Sequence, residues 1–119
     1  NLVHDVAVDN KRNRLYVGDR NNARIQVFTP EGKHLATWSG FGEPWGLAYA
    51  EKEDAIYMCD GKNNRVLRVN MEGQVTGVLG GGFGKTPGTF DYPHYIAVDS
   101  EGSIYVAEIK NWRVQKFAK

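Results

Sequence analysis

Leu15-Tyr-Val-Gly-Asp-Arg-Asn-Asn-Ala-Arg-Ile-Gln-Val-Phe28 is the stretch that decides the fold. It returns twice without a gap, as Ile56-Tyr-Met-Cys-Asp-Gly-Lys-Asn-Asn-Arg-Val-Leu-Arg-Val69 and Ile104-Tyr-Val-Ala-Glu-Ile-Lys-Asn-Trp-Arg-Val-Gln-Lys-Phe117. The copies begin at positions 15, 56 and 104, so they stand 41 and then 48 residues apart. Each copy reads as two strands: an apolar run ending on a carboxylate, a polar turn, then an alternating run opened by Arg. A short apolar strand precedes each copy, at Val6-Ala-Val8, Leu47-Ala-Tyr49 and Ile96-Ala-Val98. Two copies are followed by a fourth strand, around His34-Leu-Ala-Thr-Trp38 and Gln74-Val-Thr-Gly-Val-Leu79. Four short strands repeating every ~40–45 residues are the signature of a β-propeller blade.

The chain therefore reads as all-β: three four-stranded blades, the last lacking its outer strand, which is half of a six-bladed β-propeller. Blade 1 covers about 3–39, blade 2 about 44–80 and blade 3 about 93–119, with an inter-blade loop over 80–92, all within one half-propeller spanning 1–119. Gly32, Gly73 and Gly102 fall where tight turns want positive φ. The first strand of each blade is nearly all apolar, which predicts an inner strand buried on both faces. Gly84-Lys85-Thr86 ends like a phosphate-binding loop, but Leu79 stands where that motif needs its first Gly and no strand-to-helix unit follows.

Composition narrows the function. Fifteen Lys+Arg against fourteen Asp+Glu give a net charge of +1, which argues against a nucleic-acid footprint or an anionic-membrane surface. No apolar run is long enough to cross a membrane. The single cysteine, Cys59, rules out an internal disulfide framework. The chain opens Asn1-Leu2-Val3 without an initiator Met, which reads as a processed product, a natural fragment or an engineered piece.

The pattern Pro-x-x-Ile-Ala-Val-Asp, then Ile-Tyr-Val-Ala, then Asn-x-Arg-Val-Gln-Lys-Phe resembles the NHL repeat. Within that family, Val3-His4-Asp5-Val6-Ala7-Val8, Gly18–Phe28 and Phe90-Asp91-Tyr92-Pro93-His94 are similar to the C-terminal half of bacterial-type peptidyl-α-hydroxyglycine α-amidating lyase. That family is secreted or extracytoplasmic; the chain itself shows no signal segment and its location stays open. The resemblance implies zinc held by His residues of alternate blades, with His4 and His94 matching two of three ligand positions. It implies that Arg20 faces the substrate carboxylate. Neutral imidazoles suit Zn²⁺, and a guanidinium grips a carboxylate through two N–H groups. The third His, a second Arg and a Tyr base would lie outside this chain. Tyr95 stands where the family has Asp, so the lost carboxylate weighs against its structural calcium. Trp45 occupies the His-equivalent position of blade 2, which fits ligands that skip a blade and equally fits an aromatic plug.

Blander readings remain beside these. His4 and His94 are either metal-lining or rim packing, and Arg20 either faces substrate or forms a solvated turn pair with Asp19. Asp19, Asp60 and Glu108 recur in every blade and read as turn acceptors; Asn63, Asn64 and Asn111 read as turn residues, and Cys59 as packing. Three blades leave two apolar faces open, so self-association is expected, with a homodimer closing a six-bladed ring. In that ring His94 of one chain and His4 of the other would lie on adjacent blades. The reading for the chain is a self-assembling half β-propeller scaffold or binding module, derived from an amidating-lyase-like NHL protein without its full catalytic machinery, with a small peptide as its ligand. The alternative is a zinc-dependent amidating lyase, which cleaves a C–N bond to give a peptide amide and glyoxylate. The parent family is a lyase; the isolated chain is expected to be inactive.

Overall fold

The computed structural model describes all 119 residues, as three antiparallel sheets. Sheet 1 holds β1 (Val3–Asp9), β2 (Arg14–Asp19), β3 (Arg24–Phe28) and β4 (His34–Ser39) in chain order. Sheet 2 holds β5 (Pro44–Ala50), β6 (Ala55–Asp60), β7 (Arg65–Val69) and β8 (Val75–Leu79), again in order. Sheet 3 has β9 (Pro93–Val98), β10 (Ile104–Glu108) and β11 (Arg113–Phe117) only. In the first two sheets a one-turn 3-10 helix, Arg20–Asn22 and Gly61–Asn63, links the second and third strands. Gly32, Gly73 and Gly102 all take positive φ, at 93°, 82° and 90°. No helix is long and apolar enough to cross a membrane.

Strand alternation builds the core. In β6 successive side chains point to opposite faces, so Ile56 and Met58 turn towards sheet 1 while Tyr57 and Cys59 turn towards sheet 3. The first layer packs Tyr16, Ile25, Val27 and Trp38 against Leu47, Ile56, Met58, Leu67 and Val69. The second packs Tyr57, Cys59 and Val66 against Phe90, Ile104 and Val106. Phe90, from the 80–92 connection, is fully buried and is that connection's contribution to the core.

The inner strands depart from expectation. Burial on both faces holds best for β5, which has a sheet on either side. Val6 and Val8 of β1 are 48% and 53% exposed, and Tyr95 of β9 is 53% exposed. The physical reason is stacking: no sheet covers the back of sheet 1 or the front of sheet 3. β11 pairs with β10 alone, so its other edge is free.

Polar joints repeat with the blades. Asp19 accepts from Asn22 and Arg24, Asp60 from Asn63 and Arg65, and Glu108 from Asn111 and Arg113. These acids are turn acceptors, as their repetition suggested. Tyr16 Oη donates to the buried Asp9 at 2.8 Å, and Tyr105 Oη to Asp99 at 3.0 Å. In blade 2 the matching acid position is Ala50, and Tyr57 Oη donates instead to Glu53 in the following turn at 2.8 Å. Between blades 1 and 2, Arg12 pairs with Asp54, and Asp5 Oδ2 accepts from the Leu47 N–H at 2.9 Å. Between blades 2 and 3, Asn64 Oδ1 accepts from the Tyr92 N–H at 2.9 Å.

Candidate functional site

The three inner strands share one irregularity. The pairing register slips between Val3 and Asp5, between Pro44 and Gly46, and between Pro93 and Tyr95. The residue left out of the ladder is His4 in blade 1, Trp45 in blade 2 and His94 in blade 3. A bulge of this kind re-aims a side chain that strand alternation would have sent elsewhere. All three rings consequently gather at one end of the inner strands.

Their geometry is close. The His4 and His94 ring centroids lie 4.7 Å apart, edge to face. Trp45 sits 5.5 Å from His4 and 5.3 Å from His94. Tyr95 touches His94 at 4.3 Å and Tyr92 touches Trp45 at 5.3 Å, both edge on. His4 Nδ1 bonds the Trp45 carbonyl at 2.5 Å, which leaves Nε2 of that ring free. The Arg20 guanidinium lies 4.2 Å above the Trp45 ring, with its Nε donating to Asn21 Oδ1. Lys110 repeats the arrangement over Tyr92 at 4.5 Å. Cations over aromatic faces gain ~0.5–2 kcal/mol each, and they keep their outer N–H groups available.

The turn pair with Asp19, one of the two readings of Arg20, does not form. Asp19 takes Arg24 Nε at 2.7 Å instead, and Arg20 bends inwards over Trp45. Within one chain, bulges two blades apart already bring the His4 and His94 rings together.

Burial holds His94 towards its neutral form, and the neighbouring His4 and Arg20 push the same way, partly offset by Asp5. The Asp5 carboxylate is committed to the Val6 and Leu47 N–H groups. Nowhere do three or more His, Cys, Asp or Glu side chains gather as an ion would need. Two imidazoles are therefore all that the chain offers Zn²⁺, which is ordinarily held by three or four protein ligands. The residues present do not complete the three-His centre that the lyase resemblance implies.

Sequence reading placed Trp45 with His4 and His94 but missed its stacking partner Arg20, and it missed the Lys110–Tyr92 pair. The signal for Trp45 was the position it shares with His4 and His94. The Lys110–Tyr92 pair carries none, since Lys110 reaches Tyr92 across a fold.

Comparison with known proteins agrees with the sheets. The NHL repeat model matches residues 1–28 and 90–117, which carry most of sheet 1 and all of sheet 3. Human NHL repeat-containing protein 3 is 35% identical over 100 residues, 80% of this chain and 28% of its own length. Human NHL repeat-containing protein 2 is 31% identical over 96 residues, 66% of this chain and 13% of its own length. The chain thus spans well under a third of the curated relatives it matches. Among solved structures, Kuenenia stuttgartiensis hydrazine synthase superposes with a TM-score of 0.79 at 13% identity, over 98% of this chain and 32% of that one. At that identity the likeness speaks for the fold alone. With the repeat matched at both ends and three like sheets stacked in order, the chain is an NHL-repeat β-propeller fold.

Proposed function

We propose that this chain is a half-propeller binding module whose inner-strand mouth takes a small anionic ligand, with the C-terminal carboxylate of a short peptide as the best fit. The observation that carries the reading is the Arg20 guanidinium stacked on Trp45 beside His94. The Trp45 face and the Nε bond to Asn21 hold the guanidinium at the mouth, and its two terminal nitrogens can meet both oxygens of a carboxylate. A His94 held neutral adds no competing charge and can donate or accept a single hydrogen bond. Tyr95 and Trp45 supply apolar walls for the residue next to the carboxylate. The test is calorimetric titration with a short peptide as the free acid and as the amide. The acid should bind, the amide about tenfold or more weaker, and Arg20→Ala should remove the difference. Equal affinity for acid and amide would defeat the reading.

A second reading is supported by the meeting of His4 with His94: the chain is part of a zinc-dependent amidating lyase. Zinc would use the free Nε2 of His4 and a ring nitrogen of His94, and would supply Lewis acidity at a bound oxygen. The protein's own part would be to hold both imidazoles neutral and to orient a carboxylate through Arg20. With two ligands from this chain, no lyase step is assigned to it alone.

A further inference from the structure

The two uncovered sheet faces and one strained aromatic residue point to a specific partner. Ala23, Asn64 and Trp112 occupy the same place in their blades, just after the second strand's turn, and all are left-handed, with φ of 52°, 56° and 54°. Asn tolerates this conformation; a bulky side chain is a genuine outlier there. Trp112 is also 92% exposed, the most exposed large apolar residue of the chain. Blade 2 shows what this position touches. Asn64 reaches the following blade and accepts from the N–H of Tyr92, the residue that leads into β9. Tyr92 has φ 57°, and so does Leu2, which leads into β1 at the same place and is 50% exposed. A blade stacked on sheet 3 with the same rotation would therefore set its own leading residue against Trp112.

The open faces match in the same way. Tyr57, Cys59 and Val66 are the side chains with which blade 2 receives blade 3. Their counterparts on blade 3 are Tyr105, Ala107 and Val114, the last 66% exposed. On the back of blade 1, Val6, Val8 and Val17 stand where Leu47, Tyr49 and Met58 of blade 2 pack on blade 1. One open face thus has the residues of a donor and the other those of an acceptor, in an interface the chain already makes twice. At the hub such a joint follows blades 1 and 2, where Asp5 carries a side chain. It cannot follow blades 2 and 3, because the counterpart of Gly46 is Tyr95, and a Cβ at Gly46 would meet the His94 carbonyl at 2.4 Å.

We propose that the partner is a second copy of this chain, with Trp112 of each copy seated on Leu2 of the other. Two copies make six blades, within the four to eight at which propellers close, and a two-fold axis along the channel makes both joints identical. The inference rests on the propeller fold and is independent of the ligand at the mouth.

Light scattering across a dilution series tests it on the chain as it stands. The expected mass is twice 13.3 kDa. Trp112→Asp should weaken the dimer by about thirtyfold or more, as loss of a central aromatic anchor does. Trp112→Phe should retain it, and Leu2→Asp, on the opposite face, should reproduce the loss. A Leu2→Cys, Trp112→Cys variant should cross-link between copies on oxidation, giving a covalent dimer. A folded monomer at about 100 μM, where even a 1 μM interface would be formed, overturns the proposal. So does an assembly of more than two copies, or a dimer indifferent to Trp112→Asp that yields no cross-link; the first of these would mean that other blades cover the faces.

Discussion

His4 and His94 project from equivalent bulges on strands two blades apart, and their imidazoles meet edge to face at 4.7 Å. Calorimetric titration with Zn²⁺ should show weak binding, because two imidazoles and water make a poorer site than three or four protein ligands. His4→Ala combined with His94→Ala should abolish it. Affinity should fall as the pH drops, because protonation removes the lone pair that an imidazole gives a metal. His94 keeps its neutral form to lower pH than an ordinary imidazole, since burial and the nearby His4 and Arg20 disfavour its charge. Equal heats from the parent and the double variant would reduce the pair to packing.

Tyr16→Phe should destabilise the fold by about 1–3 kcal/mol, because it takes a hydrogen bond from Asp9, which is fully buried. Tyr105→Phe should cost less: each acid keeps two backbone N–H donors in the variant, but Asp99 is only partly buried and the oxygen it exposes can take water. Urea unfolding of both variants gives the comparison. A larger loss from Tyr105→Phe would contradict it.

Acid should unfold the chain in a defined window. The Arg12 guanidinium against Asp54 holds that carboxyl well below its usual 3.8. Burial raises Glu108, but Arg113, Asn111, the Asp91 N–H and Gln115 outweigh it, so it too lies below its usual 4.5. Groups depressed in the folded state contribute stability that is complete above their unfolded values and lost as the pH falls through the folded ones. Thermal midpoints should therefore be flat down to about pH 5 and fall steadily below about pH 4. Asp54→Asn should flatten part of that fall, and an unchanged slope would remove the Arg12–Asp54 joint from the account.

Cys59 should resist alkylation in the folded chain. It is fully buried in β6, and burial, reinforced by Asp5 and Asp60, pushes its thiol well above the ordinary range. The thiolate is the reactive form, so modification should track unfolding. Reaction with a thiol reagent at the same rate with and without denaturant would show that β6 is open.

The repeat made the sheets legible before any coordinates. Its fixed spacing marked the strands, and an acid recurring as Asp19, Asp60 and Glu108 marked the turns. The site was legible only in part. His4 and His94 stood out as equivalent positions, but alternation alone does not foresee a bulge, which arises from how two strands register. Hence the gathering of His4, Trp45 and His94 at one mouth came from pairing rather than pattern. For Arg20 the sequence left two readings open, substrate-facing or paired with Asp19, and it is Arg24 that takes the Asp19 carboxylate. Blade 2 lies outside the matched NHL segments, and its Ala50, with the Tyr57 acceptor moved to Glu53, shows how the repeat can drift while keeping the bond.

Gly46 has a consequence for the size of the circle. At the hub it lets blade 2 approach the His94 carbonyl of blade 3 more closely than any side chain would allow. Further out, bulk holds neighbouring blades apart, as Trp38 does where it presses on Gly73. A blade narrow at the axis and broad at the rim is a wedge, and the wedge angle fixes how many blades complete a turn. A methyl group at position 46 would widen the narrow end while leaving the broad end as it is. The blades would stand more nearly parallel, and the same repeat would need more of them to come round.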